Sequence, residues 1–243
     1  MTFSYTTAFW DWHEWELELD WLALRGVNLP LAMVGQEKIL VEVFREMGLT
    51  ESDINLYLSG PAFQAWNRMG NIQGSWGGNL PTEWIEGQFE LQKKIIKRMV
   101  ELGMTPILPC FSGGVPRGFI TAFPKASVVK NSRWQRFPDK YTNVTILNPL
   151  DPLYERMQKS FISKQAQAFG NITHFYQLDQ FNEQDPASGE LEYLKNLSHA
   201  TWKSLGAADP QAIVRTRSTI CSETMLTIEC TVGYARLAVL QEP

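Results

Sequence analysis

The chain has 243 residues, 44% of them hydrophobic and 20% charged, which is ordinary globular material for one large domain or two small ones with a substantial core. A net charge of −4 gives no support for nucleic-acid binding, which calls for clustered basic residues. No apolar run is long enough to span a bilayer, so no membrane partner is expected, and the opening Met1-Thr2-Phe3-Ser4-Tyr5 lacks the basic-then-apolar plan of a signal peptide.

Along the chain, Trp12, Trp15, Leu19 and Leu22 recur at helical spacing among acidic residues until Gly26, where a C-terminal cap belongs. Val27 to Val34 reads as a strand in which Pro30 removes one ladder donor and points to a bulge or irregular edge. Ile39, Val43, Phe44 and Met47 predict the next helix, and Thr50 with Asp53 resembles a capping box opening a short one through Leu58. Gly60 to Pro81, rich in Gly, Asn and Trp and without a sustained period, reads as a long functional or mobile loop. Thr82 then caps a helix carrying Phe89, Ile95, Ile96, Met99 and Val100, closed by Gly103, and Thr105 to Phe111 restores an apolar strand. The glycine-rich bend Phe111 to Pro116 lacks the Lys and Ser or Thr of a phosphate cradle and reads as backbone room near a ligand.

Asp151-Pro152 caps and starts a helix with Tyr154, Met157 and Phe161 inward; Gly170 breaks it, and Ile172 to Leu178 is a buried strand. That strand runs into Asp179-Gln180-Phe181-Asn182-Glu183. A loop Asn-Glu is commonly a turn or helix cap, but in an α/β barrel the C-terminal end of a strand is where catalytic groups sit. There Asn182 could hold a sugar substituent while Glu183 handles a glycosidic oxygen. Short apolar strands alternating with amphipathic helices argue for parallel βα units. About three or four such units are legible, against about eight strands and roughly 250 residues in a closed barrel. From Arg215 the alternation is lost, which divides the chain into residues 1–214, a partial barrel, and 215–243, an irregular tail that is either a small subdomain or foreign sequence.

Aromatic residues make up 12% of the chain, with nine Trp; most serve packing, but Trp beside acidic and amide groups also builds floors for sugar rings. Cys110, Cys221 and Cys230 are too scattered for a disulfide framework or a zinc site, although Cys221 and Cys230 could pair. His13, His174 and His199 lie on predicted regular elements without matching partners, so core or surface roles suit them and no metal or other cofactor is expected. Asn143, Asn171 and Asn196 each begin a glycosylation sequon, which allows a secretory origin. Gln36 and Glu37 follow the first strand and could face a site, while Glu37 equally suits the first turn of a helix. Arg68 could bind sugar hydroxyls or a sulfate, or hold the Gly60 loop.

Five segments carry a resemblance. They are Phe9-Trp10-Asp11-Trp12-His13-Glu14-Trp15-Glu16, Gly26 to Ala32 with Gly35-Gln36-Glu37, Gly60 to Asn71, Gly103 to Pro109, and Asp179 to Glu183. Together, and in this order, they resemble the α-N-acetylglucosaminidases of glycoside hydrolase family 89, over about residues 2–214 and the first half of that family's catalytic barrel. The resemblance implies a partial TIM (β/α)8-type barrel and retaining exo-hydrolysis of terminal α-linked N-acetylglucosamine, as in heparan sulfate. It makes Glu183 the general acid/base, Asn182 a ligand of the 2-acetamido group, Trp66 and Trp134 pocket aromatics, and Asp179 a loop-fixing acceptor, with Gln36, Glu37 and Arg68 in support. It also implies a lysosomal, vacuolar or extracellular location for the full-length family. The expected partner is a carbohydrate ending in α-linked N-acetylglucosamine.

Retention requires a second carboxylate roughly 5 Å from the first, which the family supplies from the other half of its barrel. Glu190, Glu192, Glu223 and Glu229 stand in no matching motif. The expectation is therefore a truncated product. The alternative to catalysis is an inactive fragment that retains at most weak carbohydrate binding.

Overall fold

The computed structural model describes residues 7–178, 180–181, 183 and 186–216. The expectations for Asp179, Asn182, Cys221, Cys230, Glu223, Glu229 and the tail beyond 216 lie outside the described residues.

The first helix, α1 (Trp12–Leu24), opens with a capping box: the Asp11 carboxylate accepts from His13 N at 2.7 Å while Glu14 accepts from Asp11 N at 2.9 Å. It ends before Gly26, whose φ of +76° is the left-handed cap. Trp15 and Leu19 are its buried residues. The following segment shortens the predicted Val27–Val34 strand to a single parallel bridge, Leu31 to Ile107. Pro30 accepts from Ile107 N and Ala32 donates to Ile107 O, each at 2.8 Å, but the absent Pro30 N–H leaves no donor to continue the ladder.

Helix α2 (Gln36–Glu46) starts at Gly35 for a steric reason: φ is +67°, and a Cβ there would meet Gln88 O and Phe89 Cα at 2.7 Å. Helix α3 (Glu51–Tyr57) carries the expected capping box between Thr50 and Asp53. The supposed loop from Gly60 to Pro81 is instead partly helical, with a 3-10 turn at Pro61–Phe63 and α4 (Gln64–Arg68). Elements this short span too few turns to show a period. The segment is also firmly held, since Asn67 Nδ2 donates to Tyr57 O and Ile72 O, both at 2.9 Å.

Helix α5 (Thr82–Glu101) has Pro81 at its N-cap and no side-chain cap bond, so Thr82 is its first residue rather than its cap. Strand β1 (Leu108–Pro109) is followed by α6 (Phe119–Ala122), β2 (Val128–Lys130), α7 (Asp139–Thr142) and β3 (Thr145–Leu147), where β2 and β3 form an antiparallel pair. That excursion has no counterpart in the sequence reading. Helix α8 (Pro152–Phe169) is capped by Asp151 accepting from Leu153 N at 2.9 Å, and buries Tyr154, Met157 and Phe161 as expected. Strand β4 (Phe175–Leu178), α9 (Leu191–Ala208) and β5 (Ile213–Thr216) complete the described chain. Regular structure therefore continues two residues past 214.

The main sheet has the order β1-β4-β5, all parallel, with Leu108 opposite Tyr176 and Tyr176 opposite Val214; the Leu31 bridge extends it on the β1 side. Helices α8 and α9 make the crossovers and pack on one another, and α8 packs on α2, giving a mixed α/β layer arrangement. No helix among the described residues is long and apolar enough to cross a membrane. Of the sequon asparagines, Asn171 and Asn196 are exposed and Asn143 is half-buried.

The N-terminal ends of β4 and β5 are tied by a polar cluster that corrects the reading of His174. Its Nδ1 lies 2.7 Å from Asp209 Oδ2, which also accepts from Tyr176 OH at 2.9 Å, while Asp209 Oδ1 accepts from Gln211 N at 2.9 Å. Thirty-five residues separate His174 and Asp209, so no local pattern reveals the pair. Burial alone would raise the Asp209 carboxyl; the bonds from His174, Gln211 and Tyr176 overcome it and hold the group below its ordinary value.

A folded pKa below the unfolded one makes the contribution of Asp209 present above about pH 4 and lost as the pH falls through the native value. Replacing Asp209 with Asn is expected to lower stability by about 1–3 kcal/mol at neutral pH. The difference from wild type should shrink toward pH 3, read from urea unfolding at several pH values.

Candidate functional site

The C-terminal ends of the parallel strands open on one face, and the loop after β4 brings Glu183 to it. Gln180, in that loop, is a hub: its Nε2 donates to Tyr154 OH at 3.0 Å, and its Oε1 accepts from Thr201 OH at 3.4 Å. Tyr154 OH in turn donates to Phe111 O at 3.0 Å, so the ends of β1 and β4 and helices α8 and α9 share one network. Burial pushes the Tyr154 phenol well above its ordinary value, which keeps it a neutral donor. Phe181 and Glu183 sit at φ +59° and +53°, a left-handed conformation costing a non-glycine residue on the order of 1 kcal/mol each. The loop tolerates this because Gln180 fixes its course.

Glu183 is exposed, and its Oε2 accepts from Trp134 Nε1 at 3.0 Å. Trp134 comes from the β2–α7 connection, within the excursion that follows β1. That connection is braced by Arg133, which donates to Phe137 O at 2.8 Å and Arg136 O at 3.0 Å. The Trp134 ring lies 5.8 Å from Trp66 and 5.3 Å from Phe137, while Trp76 stacks on Phe63 at 5.1 Å and on Tyr141 at 4.8 Å. The result is a continuous aromatic wall beside one carboxylate. Glu183, Trp66 and Trp134 thus meet across 117 residues of sequence, from 66 to 183.

Glu37 and Arg68 meet each other instead. Arg68 Nε and an Nη donate to the two Glu37 oxygens at 2.6 and 2.9 Å, with side chains 2% (Glu37) and 8% (Arg68) exposed. Both Glu37 oxygens are engaged, and the pair joins α4, which carries Trp66, to the start of α2. Gln36 is half-buried beside this pair, its Nε2 without a hydrogen-bond partner among the described residues. Glu37, Arg68, Gln36, Ser112 and Gly114 line a cavity of about 30 Å³, room for a water molecule rather than a sugar.

The glycine-rich bend has a packing reason as well: a Cβ on Gly114 would collide with Tyr57 OH, and one on Gly113, at φ +100°, would crowd Ile146, Leu147 and Tyr154. Burial raises the Cys110 thiol to about 12, so it is a packed apolar group and not a nucleophile. No group of His, Cys, Asp and Glu is placed to hold a metal among the described residues. Gln180, Asn67 and Trp76 are structural residues of the site that sequence reasoning left without roles, and Tyr154 was expected only to face inward on its helix. The position of Gln180 inside the Asp179–Glu183 motif was the available signal.

The sequence matches the family model described as "Alpha-N-acetylglucosaminidase (NAGLU) tim-barrel domain" over residues 1–218. The chain belongs to the α-N-acetylglucosaminidase family, glycoside hydrolase family 89. Human α-N-acetylglucosaminidase is 41% identical over 212 residues, covering 87% of this chain and 28% of that protein. A family 89 glycoside hydrolase from Clostridium perfringens, in complex with 2-acetamido-1,2-dideoxynojirimycin, superimposes with a TM-score of 0.79 at 32% identity, covering 88% of this chain and 24% of that one. The same organism's enzyme with two Glu→Gln replacements, in complex with its substrate GlcNAc-α-1,4-galactose, gives 0.79 at 31% identity and the same coverage. The chain thus spans about a quarter of the length of these α-N-acetylglucosaminidase relatives.

Replacing Arg68 with Ala leaves the Glu37 charge buried and is expected to destabilise the fold by about 3–5 kcal/mol. The double change Glu37→Met, Arg68→Leu should recover most of that loss. Chemical unfolding of the three proteins measures both.

Proposed function

We propose that this chain forms part of the pocket of a retaining exo-α-N-acetylglucosaminidase, with Glu183 as the general acid/base. The observation that supports this most is the placement of Glu183: a carboxylate at the C-terminal end of a parallel strand, bonded to an indole in an aromatic wall. Glu183 would protonate the glycosidic oxygen as the bond to the anomeric carbon breaks, then take a proton from the incoming water. Asn182 would bond the 2-acetamido group, and Trp66 and Trp134 would face the sugar ring, whose C–H face suits an aromatic surface. Asp179 would fix the loop as an acceptor.

Glu37 is a poor choice for the second carboxylate because Arg68 occupies both its oxygens. The nucleophile is therefore assigned to the part of the family's barrel outside the matched quarter. The substrate class is a glycan ending in α-linked N-acetylglucosamine, heparan sulfate among them. A lysosomal, vacuolar or extracellular setting follows from such a substrate. The described strands form the leading parallel set of a (β/α)8-type barrel in this reading.

A second reading, carbohydrate binding without hydrolysis, draws support from the exposure of Glu183 and the engagement of Glu37, because an aromatic wall binds sugar without either carboxylate. Release of the chromophore from an aryl α-N-acetylglucosaminide separates the two. With the rest of the family's barrel supplied alongside this chain, hydrolysis should occur and fall by roughly 10²–10⁴ on Glu183→Gln. Absence of release at every pH, with quenching of Trp fluorescence by N-acetylglucosamine retained, would favour the binding reading.

A further inference from the structure

The Trp134 indole is donor-only: its Nε1–H can give one hydrogen bond and accept none. That bond goes to Glu183 Oε2 at 3.0 Å. An oxygen engaged by such a donor is a better acceptor as a carboxylate or carbonyl oxygen than as a hydroxyl oxygen, so the arrangement distinguishes the two carboxyl oxygens. When Glu183 carries a proton, it is placed on Oε1.

The donor itself is fixed independently of Glu183. Trp134 is 7% exposed, wedged between Trp66 and Phe137, and its loop is braced by the Arg133 bonds to Phe137 O and Arg136 O and by Asn131 N donating to Val144 O at 2.9 Å. The acceptor stands on a left-handed residue in a loop pinned by Gln180. An exposed glutamate with three side-chain torsions would otherwise sample many rotamers.

We propose that Trp134 is a positioning residue for Glu183, holding Oε2 so that Oε1 is the oxygen that exchanges the proton with the glycosidic oxygen. This rests on Glu183 being the acid/base. In the first step the proton on Oε1 passes to the glycosidic oxygen as its bond to the anomeric carbon breaks and the nucleophilic carboxylate from the rest of the barrel bonds that carbon; the electron pair of the O–H bond stays on Glu183. In the second, Oε1 takes a proton from water as the water oxygen bonds the anomeric carbon and the bond from that carbon to the nucleophilic carboxylate breaks. Oε2 keeps the indole N–H throughout. The excursion that follows β1 thereby acts on a residue delivered by β4.

Two substitutions remove the N–H while keeping an aromatic ring: Trp134→Phe, and 3-benzothienylalanine at the same position, which preserves the bicyclic shape. With the rest of the family's barrel supplied, both are expected to lower kcat on an aryl α-N-acetylglucosaminide by roughly 10-fold to 100-fold while KM stays within about twofold, the pattern of lost alignment rather than lost binding. Unchanged kcat in the benzothienyl protein, or equal changes in KM and kcat from a weakened pocket, would overturn the proposal.

A second measurement needs no turnover. Among the indole 15N–1H resonances of the nine Trp, the one lost in Trp134→Phe should move upfield in Glu183→Ala. If it does not move, the contact is absent in solution and the proposal fails. With the rest of the barrel supplied, a wild-type protein that shows the NMR contact but hydrolyses nothing refutes the glycosidase reading, and with it the catalytic meaning of the contact.

Discussion

Parallel pairing of β1, β4 and β5, extended by the Leu31 bridge, is the constraint from which the rest of the molecule follows. Parallel strands must all be re-entered from the same end, so every connection out of the sheet leaves on one face and every connection in arrives on the other. Gly35 to Glu37, Cys110 to Gly114 and Gln180 to Glu183 consequently share a face despite their separation in sequence. Leu108 opposite Tyr176 and Tyr176 opposite Val214 fix the heights at which those loops depart. A slip of one residue would turn every strand side chain to the opposite side.

The two faces carry different burdens. At the N-terminal ends of β4 and β5, Asp209 gathers His174, Tyr176 and Gln211 N into a polar cluster. At the C-terminal ends, Glu183 is exposed and its Oε2 accepts from one indole, that of Trp134. This is the usual division in barrel folds, where one end serves stability and the other chemistry. Two glutamates at that upper face illustrate it again: Glu37 is buried and bonded by a bidentate arginine, whereas Glu183 faces solvent.

The aromatic residues divide in a similar way. Trp15 lies in the core, where it removes area from water and meets Trp10 edge-on at 5.7 Å. Trp66, Trp76 and Trp134 join Phe63, Phe137 and Tyr141 in a surface-facing wall whose ring spacings, 4.8 to 6.4 Å, are those of mutually supporting aromatic pairs. Such a wall is rigid before any ligand arrives. Rigid aromatic surface loses little conformational entropy on binding, which favours sugar recognition.

Helices with a sustained apolar period and chemical punctuation were determined by the sequence alone: α1 with its Asp11 cap and Gly26, α3 with Thr50 and Asp53, and α8 with Asp151, Pro152 and Gly170. So was the position of Glu183 after strand β4, because a glutamate following an apolar strand is a local signal. Short elements such as α4, β2 and β3 escaped, since three to five residues cannot display a period. Tertiary structure decided that Arg68 serves Glu37, that His174 serves Asp209, and that Trp134 donates to Glu183. Each is a pairing across 31 to 49 residues, and a hydrogen bond's partner is fixed by where folding places two groups, which no spacing along the chain encodes.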